Sequence, residues 1–326
     1  MRGGGVGSLM GFAGGCALAV TALPQDSVAC IASVAFAAIA IGILGLVEDI
    51  RGLSVKTRLV LQFLVGASLL LSLSTTTEVG WVWFPLAILF FAANVNFTNF
   101  MDGINGISGL HGLVAGLAYA AFGVVEAMVW LIVVGLITAV VFAAFLPWNL
   151  VPPRMFLGDV GSYLLGGALG AMAISALIAG LNPVAALAPL SIYWVDTLTT
   201  LAGRIRRREP FLQAHCSHSY QRLTGAGVPH IAVASVVALF TLGASLVGFL
   251  AASGTLTVVL SLALILMLGL LYLGLPRLFS FRRPNSVPPA PSAIATPLDA
   301  EFVAKPSSDG RGFVRTPRQA RGLDAT

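Results

Sequence analysis

The sequence is short of charge. Only 10% of its 326 residues are Asp, Glu, Lys or Arg, whereas 57% are hydrophobic. A soluble domain carries about 25% charged residues, so most of this chain cannot face water. The three cysteines, Cys16, Cys30 and Cys216, have neither metal-ligand nor disulfide spacing, which argues against a zinc site or a disulfide framework. No small-residue cleavage site stands out near the N-terminus, so a cleavable signal peptide is not predicted.

Long apolar runs fill most of the chain. Each is close to the roughly 20 residues that a helix needs to cross a bilayer, and the runs are continuous, whereas a β-barrel needs alternating ones. We predict an all-α, polytopic membrane domain over 1–276 and a disordered cytoplasmic tail, rich in Pro, Ser and Ala, over 277–326. The ten predicted transmembrane helices are 4–23, 27–47, 59–76, 79–97, 107–123, 128–146, 161–180, 184–202, 231–251 and 255–275.

The positive charges all fall on one predicted side of the membrane. With ten spans and short loops, all 18 Lys and Arg residues lie on the side of both termini, and the other side carries only Asp26, Glu78 and Glu126 as charged groups. The positive-inside rule places the basic side in the cytoplasm. The net charge of +5 is therefore assigned to a cytoplasmic face, and no nucleic acid partner is expected.

Several acidic residues lie at predicted cytoplasmic helix ends. Four of them stand in polar, glycine-rich segments (GLVEDIRGLSVK, NFTNFMDGINGISG and FLGDVGSYLLGG), and a fifth, Asp196, does not. Carboxylates near membrane depth are costly and are functional hypotheses by default, although helix capping or pairing with Arg is the structural alternative. Convergence on one face favours a site for Mg²⁺, which proteins hold with one or two carboxylates plus phosphate oxygens. The four residues are Glu48, Asp49, Asp102 and Asp159.

The stretch NVNFTNFMDGINGISG ends an apolar run with regularly spaced amides. Side chains at i and i+3 are neighbours on a helix, so Asn96, Asn99 and Asp102 would form a polar stripe that ends at the water boundary. Gly103 and Gly106 would let a ligand or another backbone approach closely. Glycines in membrane helices also allow close helix packing, so this remains an alternative role for both glycines.

A third polar segment, 203–228, combines cations with histidines. His215 and His218 are three residues apart and shortly precede Arg222. Arg and His side chains are partners for phosphate groups. The alternative, a transition-metal site, lacks a Cys or acidic residue to complete the ligand set.

These segments resemble the polyprenyl-phosphate N-acetylhexosamine-1-phosphate transferases of glycosyltransferase family 4, which include phospho-N-acetylmuramoyl-pentapeptide transferase and O-antigen-initiating enzymes. RGGGVG is similar to the Pro-Arg-Gly-Gly-Gly loop, GLVEDIRGLSVKTRLVLQ to the Asp-Asp loop, and NFTNFMDGINGISG to the Asn-x-x-Asn-x-x-Asp-Gly-x-Asp-Gly motif. FLGDVGSYLLG matches Phe-x-Gly-Asp-x-Gly-Ser, and QAHCSHSYQRLTGAG resembles the histidine loop of the O-antigen-initiating branch. Five motifs in order, within residues 2–228, make the resemblance specific.

The sequence departs from the family pattern in three places. Glu48 stands where the family has Asp, and Asn105 stands where the family has the second Asp of Asp-Gly-x-Asp-Gly. That second position lies near the uracil in relatives, which leaves the nucleotide preference open. The chain also begins inside the first motif, and we expect the native start to lie upstream.

The resemblance implies an Mg²⁺-dependent enzyme, with Mn²⁺ as the alternative metal, whose active site faces the cytoplasm from a bacterial inner membrane. A polyprenyl phosphate would attack the β-phosphorus of a UDP-N-acetylhexosamine, giving a lipid-diphosphate sugar and UMP for cell-wall, O-antigen or related glycans. Direct attack is favoured, and prior attack by a protein carboxylate is the alternative. The sugar is not readable from the sequence.

The resemblance also assigns roles to matching residues. Asp159 and Asp102 would ligate the metal ion. The predicted catalytic residues, which orient the metal, deprotonate the lipid phosphate or steady the diphosphate, are Glu48, Asp49, Asp102, His215 and His218. The predicted substrate-binding residues are Asn96, Asn99, Asn105, Lys56 and Arg222.

Two other classes of protein stay open. A transporter would also place acids in membrane helices, but near the midplane and at broken helices of an inverted repeat, whereas these acids lie at one face. A non-catalytic scaffold, as a degenerate relative, is suggested by Glu48 and Asn105. Besides the membrane lipid and the two substrates, a homodimer partner is one option.

Overall fold

A computed structural model describes residues 3–75, 80–208 and 218–280. Within these ranges the chain folds into twelve α-helices, with 3₁₀ turns at Trp81–Trp83 and Ala188–Leu190. The helices are α1 (Gly4–Ala22), α2 (Gln25–Arg51), α3 (Val55–Ser74), α4 (Phe84–Met101), α5 (Ile107–Val125), α6 (Val129–Leu150), α7 (Gly158–Ile178), α8 (Pro183–Leu187), α9 (Ser191–Arg206), α10 (Ser219–Gly225), α11 (His230–Ala252) and α12 (Val258–Ser280).

The predicted membrane spans are confirmed. Ten helical segments of the described residues are long and apolar enough to cross a membrane, and each coincides with a predicted span. Boundaries shift by a few residues, and α12 continues to Ser280, past the predicted end of the last span at 275. Residues 281–326, which hold most of the predicted tail, lie outside the described residues. The chain is an all-α, multi-pass membrane protein.

The eighth span is broken into two helices. α8 begins after Asn182, whose Oδ1 accepts the N–H of Val184 at 2.9 Å, and Pro183 occupies its first turn, a position that tolerates proline. α8 ends at a 3₁₀ turn that contains Pro189. Proline lacks the N–H that an α-helix needs and its ring crowds the preceding turn. The single apolar run 184–202 therefore becomes α8 and α9.

α7 lies at the centre of the bundle. Nearly all of its residues are buried, and it packs most closely against α2 and α4. Polar side chains add to this packing: Asn94 Nδ2 on α4 donates to the carbonyl of Gly166 on α7 at 2.8 Å, and Trp194 Nε1 on α9 donates to Asn94 Oδ1 at 2.8 Å. Small residues and hydrogen-bonding side chains are typical of helix contacts inside membranes. α7 is thus packed between α2 and α4.

The chain reverses at the end of α2 in a short capped loop. Gly52 has φ +63° and its N–H donates to the carbonyl of Glu48 at 2.9 Å. Ser54 then caps α3, because its Oγ accepts the N–H of Thr57 at 3.1 Å. A left-handed glycine after the helix and a serine before the next one are the expected residues at these positions. The loop fixes where the last turn of α2 meets α3.

Candidate active site

Carboxylates from three sequence motifs meet where α2 and α4 end and α7 begins. Asp49 lies in the last turn of α2, Asp102 follows α4, and Asp159 is in the first turn of α7; we call these three residues the carboxylate cluster. Asn99 links two of the motifs, because its Nδ2 donates to Asp159 Oδ1 at 2.8 Å and to Ser162 Oγ at 3.0 Å. Two motifs 60 residues apart are therefore in direct contact.

Asp49 holds the beginning of α7. Its Oδ2 accepts the N–H of Val160 at 3.1 Å, one of the N–H groups that the first turn of a helix leaves without an internal partner. Gly158 has φ +71°, and a Cβ at this position would lie 2.7 Å from Asp49 Oδ2. Both the backbone conformation and the nearby carboxylate therefore require the glycine of FLGDVGS.

Gly45 lets α2 and α7 approach each other at the site. A Cβ at this position would overlap the backbone carbonyl oxygen of Asp159. Without a side chain at Gly45, the helices that carry Asp49 and Asp159 pack backbone to backbone. The role of Gly45 could not be predicted from the sequence, since it depends on Asp159, more than a hundred positions away.

Glu48 reaches across the loop after α2. Its Oε2 accepts the N–H of Leu53 at 2.6 Å, and its Oε1 lies 3.3 Å from Arg58 Nη1. The same guanidinium nitrogen donates to Tyr163 Oη at 3.3 Å. Arg58 is thus a cation fixed between α3 and α7 beside the carboxylates, whereas the sequence analysis had counted it only as a positive charge. Lys56, a predicted substrate-binding residue, is exposed in the first turn of α3.

Asp102 is half-buried in the loop between α4 and α5. Its Oδ1 accepts a hydrogen bond from Ser108 Oγ at 2.6 Å. Burial raises the pKa of Asp102 to about 7; the hydrogen bond from Ser108 opposes this shift, and the negative charges of Asp159 and Asp49 add to it. A cation bound among these carboxylates would relieve their repulsion and lower that pKa.

The structure divides the predicted polar stripe of α4. Asn99 faces the carboxylate cluster, as described above. Asn96, one turn earlier, donates from Nδ2 to Gln62 Oε1 at 2.6 Å, and so ties α4 to α3. Its side chain also bonds the carbonyl of Ala92 at 2.7 Å within its own helix. The amide of Asn96 is therefore used in helix packing.

His218, one of the two predicted histidines, lies in a different region from the carboxylate cluster. His218 is 2% exposed, and its Nδ1 lies 3.4 Å from Oδ1 of Asp196, which is 0% exposed. Asp196 also accepts the N–H of Ser219 at 2.9 Å and the hydroxyl of Tyr272 at 2.6 Å. Unlike the other four acids, Asp196 does not stand in a glycine-rich segment, and only the tertiary structure reveals these partners. His215 lies outside the described residues.

Two predicted substrate-binding residues line cavities outside the carboxylate cluster. Arg222 borders a cavity of about 550 Å³ together with Arg207 and Arg277. Asn105 borders a cavity of about 380 Å³ together with Arg154. Both cavities thus carry cationic side chains near the ends of membrane helices, where an anionic group can be bound.

The carboxylate cluster offers oxygen donors to a cation. The carboxylates of Asp102 and Asp159, with the amide of Asn99 between helices, suit a hard divalent ion. Among the residues that the structure describes, no three His, Cys, Asp or Glu side chains are arranged to hold a metal ion. A metal ion here would need further oxygens from water or a phosphate group. This donor set fits Mg²⁺, which usually keeps few protein ligands.

The middle of the chain matches a known family. Residues 31–177 match the sequence profile of glycosyl transferase family 4. The matched range contains the carboxylate cluster together with Glu48 and Asn99, and it ends before Asp196 and His218. The family match therefore supports the region of the carboxylate cluster and does not extend to the region of Asp196 and His218.

Individual relatives agree with the family match. Over 215 residues the chain is 25% identical to a Bacillus subtilis (strain 168) protein named probable undecaprenyl-phosphate N-acetylglucosaminyl 1-phosphate transferase; the alignment covers 62% of this chain and 60% of that protein. A phospho-N-acetylmuramoyl-pentapeptide-transferase of Clostridium novyi (strain NT) is 25% identical over 242 residues, covering 66% of this chain and 72% of the relative. One from Halalkalibacterium halodurans is 30% identical over 166 residues, covering 42% and 49%. The chain thus spans less than two thirds of the Bacillus relative.

Proposed function

We propose, since the chain belongs to glycosyl transferase family 4, that it transfers an N-acetylhexosamine 1-phosphate, or a deoxy relative, from a UDP-sugar to a polyprenyl phosphate. The products are a lipid-diphosphate sugar and UMP. Such a product begins the synthesis of a cell-wall, O-antigen or related glycan. The names of the relatives support this reaction class, and the muramoyl-pentapeptide donor is disfavoured by the form of the histidine segment.

The contact between Asn99 and Asp159 carries this proposal. It joins the asparagine motif of α4 to the aspartate motif of α7 at 2.8 Å, with Asp49 bonded to the same helix start. The site lies where membrane helices end, so a water-soluble donor and a lipid acceptor can both reach it. A transporter would need its carboxylates nearer the midplane of the bilayer.

Phosphoryl transfer needs positioning and charge neutralisation more than covalent chemistry from the protein. An oxygen of the lipid phosphate attacks the β-phosphorus of the UDP-sugar and forms a new P–O bond. The bond from that phosphorus to the bridging oxygen breaks, and UMP leaves with the electron pair. Asp49 accepts the proton of the lipid phosphate where it is protonated, and Arg58, held by Glu48 and Tyr163, balances charge beside the reacting phosphates.

Asp159 and Asp102 are the residues we assign to a divalent metal ion, Mg²⁺ or alternatively Mn²⁺. When bound, the metal would neutralise charge on the diphosphate. Asn99 fixes the carboxylate of Asp159 for this role through its amide. An amide there adds no negative charge, which matters next to an anionic substrate.

We assign the nucleotide to the side of the site where Asn105 lies. Asn105 and Arg154 border the same cavity, and an amide with a guanidinium can recognise carbonyl and phosphate oxygens. Specificity for the sugar is expected from the 203–228 segment. Arg222 lines its own cationic cavity and is the substrate-phosphate partner that we assign from that segment.

We place this face of the protein in the cytoplasm of a bacterial inner membrane. The predicted topology of ten spans and short loops puts all 18 Lys and Arg residues on the side of the carboxylate cluster, and the positive-inside rule assigns that side to the cytoplasm. UDP-sugars are then on the correct side of the membrane. The polyprenyl chain would lie between membrane helices.

The proposal is tested with membrane vesicles that contain the protein. They are incubated with UDP-N-acetylhexosamines labelled in the sugar, undecaprenyl phosphate and Mg²⁺, and the label is measured in the organic extract and in the vesicle lumen. Vesicles without the protein, and reactions without lipid phosphate, are the controls. We expect a lipid-extractable product that depends on both the protein and the lipid phosphate.

Two other outcomes would contradict the proposal. Soluble label that accumulates inside vesicles without any lipid product would indicate a transporter. No product with N-acetylglucosamine, N-acetylgalactosamine or their 6-deoxy relatives as donors, from protein that is folded and inserted, would indicate a non-catalytic scaffold.

A further inference from the structure

Asp196 is a fully buried acid that the proposed reaction does not use. It lies on α9 and accepts hydrogen bonds from residues of two other helices: the N–H of Ser219 at 2.9 and 3.1 Å to its two oxygens, and the hydroxyl of Tyr272 at 2.6 Å. His218 Nδ1 lies 3.4 Å from Oδ1. A buried carboxylate is strongly unfavourable unless such partners surround it. The burial of the Asp196 carboxylate is therefore energetically costly, and its hydrogen-bond donors offset that cost.

These donors fix the beginning of α10, the short helix that follows His218. Ser219 is its first residue, and its N–H, shared between the two oxygens of Asp196, ties this end to α9. Tyr272 belongs to α12, so the same carboxylate also connects the last membrane helix. His218 itself is restrained twice, because its backbone N–H donates to Gln221 Oε1 at 3.1 Å. The first turn of α10 therefore has little freedom.

α10 also touches the loop that carries Asp102. Tyr220 is fully buried, and its hydroxyl donates to the carbonyl of Phe100 at 3.0 Å. Its ring end lies against Gly103, where a Cβ would overlap the hydroxyl. Phe100 and Gly103 flank Asp102 in the chain. α10 thus contacts both Asp196 and the loop that carries Asp102.

We infer that Asp196 is a positioning residue: with Tyr272 it holds His218 and the first turn of α10 in register with the Asp102 loop. The catalytic part of this inference rests on the transfer reaction proposed above, in which a phosphate-bearing substrate binds at that loop. The Asp196 carboxylate lies beside Nδ1 of His218 and bonds the N–H of the next residue, Ser219, so it restricts where the imidazole can lie. α12, which lies outside the family match, thereby contributes to the site through Tyr272.

The inference is tested by a double-mutant cycle on kcat with the full-length protein in membranes. Tyr272→Phe removes one hydrogen bond to Asp196 and keeps the ring. We expect kcat to fall about tenfold, with the donor KM changing less than about twofold, as for a lost positioning contact. In a His218→Gln background the same substitution should lower kcat by a clearly smaller factor, because the part of its effect that passes through His218 is already lost. Tyr119→Phe is the matched control, since Tyr119 is a buried tyrosine whose hydroxyl bonds the carbonyl of Ala186 elsewhere.

Additive losses in the cycle would overturn the inference, because they would mean that Tyr272 acts on the fold and not through His218. Amide hydrogen exchange of 218–225 gives a readout that needs no activity. We expect Asp196→Asn and Tyr272→Phe to raise exchange there, and Tyr119→Phe to leave it unchanged. Unchanged exchange in both variants would refute the anchoring of α10. If Asp196→Asn does not accumulate, Tyr272→Phe alone decides.

The two proposals fail in different ways. If the wild-type protein makes no lipid product, the transfer reaction is wrong, and the catalytic part of the inference fails with it. Hydrogen exchange would still decide whether Asp196 and Tyr272 anchor α10. Normal activity in Tyr272→Phe would instead contradict the positioning role and leave the reaction standing.

Discussion

Asp159 and Asp196 are both aspartates of membrane helices, but their surroundings differ. Asp196 is fully buried and surrounded by donors from α10 and α12. Asp159 is half-buried, accepts a hydrogen bond from Asn99, and lies near the negative charges of Asp49 and Glu48. An aspartate that accepts hydrogen bonds from several protein groups, as Asp196 does, stabilises the fold. An aspartate that lies beside other carboxylates at an accessible helix end, as Asp159 does, can bind a cation.

The largest effect should come from removing the accessible charge. We expect Asp159→Asn to lower transfer at least about a hundredfold, because the neutral side chain cannot neutralise or hold a cation at the phosphates. Asp26→Asn is the matched control, an exposed aspartate at the opposite end of α2, and it should keep full activity. Lipid-product formation at equal amounts of inserted protein is the measurement. A variant that keeps its activity and its Mg²⁺ dependence would remove Asp159 from the site.

A smaller effect should come from adding charge to the cluster. Asn99→Asp would place a carboxylate against Asp159 Oδ1, where an amide now donates at 2.8 Å. We expect donor KM to rise about tenfold, more than in Asn99→Ala, and raised Mg²⁺ to rescue only the aspartate variant, since a cation offsets like-charge repulsion. The measurement is donor KM against Mg²⁺ concentration. Equal KM values in the wild type and both variants would refute a direct role for this amide.

The raised pKa of Asp102 predicts that cation binding at the carboxylate cluster depends on pH. Because its pKa is raised to about 7, Asp102 is mostly protonated below that pH, and a protonated carboxyl is a poor ligand for a cation. We expect apparent Mg²⁺ affinity to fall as pH drops through 7, by up to about tenfold per pH unit, and to level off above it. The measurement is the Mg²⁺ concentration for half-maximal transfer. Asp102→Asn should flatten the profile, and a wild-type profile that is already flat would contradict this assignment.

The smallest effect should follow from shortening the chain. Deleting 285–326 removes residues that resemble none of the motif segments, so we expect transfer per inserted protein to change less than about twofold. Quantitative immunoblotting of the membranes supplies the normalisation. A loss of activity with unchanged insertion would make the tail a partner of the site.

The membrane spans could be read from the sequence because a bilayer demands long apolar runs. The break at Pro189 could not, since membrane helices often tolerate proline when neighbouring groups satisfy the backbone. Only packing decided that this proline would separate α8 from α9.

The site was predictable as a set of motifs and not as a set of contacts. Residues three apart on a helix differ by about 60° in direction, which is enough to send Asn96 to Gln62 on α3 and Asn99 to Asp159 on α7. The contacts of Arg58 and Asp196 could not be predicted because their partners are distant in the chain: Tyr163 is 105 residues from Arg58, and Tyr272 is 76 residues from Asp196. Spacing rules report neighbours along one helix only.

The position of the transferred phosphorus tests the central claim most directly. Vesicles with the wild-type protein are given a UDP-N-acetylhexosamine that carries ³²P in its β-phosphate, with undecaprenyl phosphate and Mg²⁺. Transfer of a sugar 1-phosphate predicts that the label moves to the lipid product and that the released UMP is unlabelled. Label that stays in a released UDP, beside an unlabelled glycolipid, would mean simple glycosyl transfer and would contradict the account.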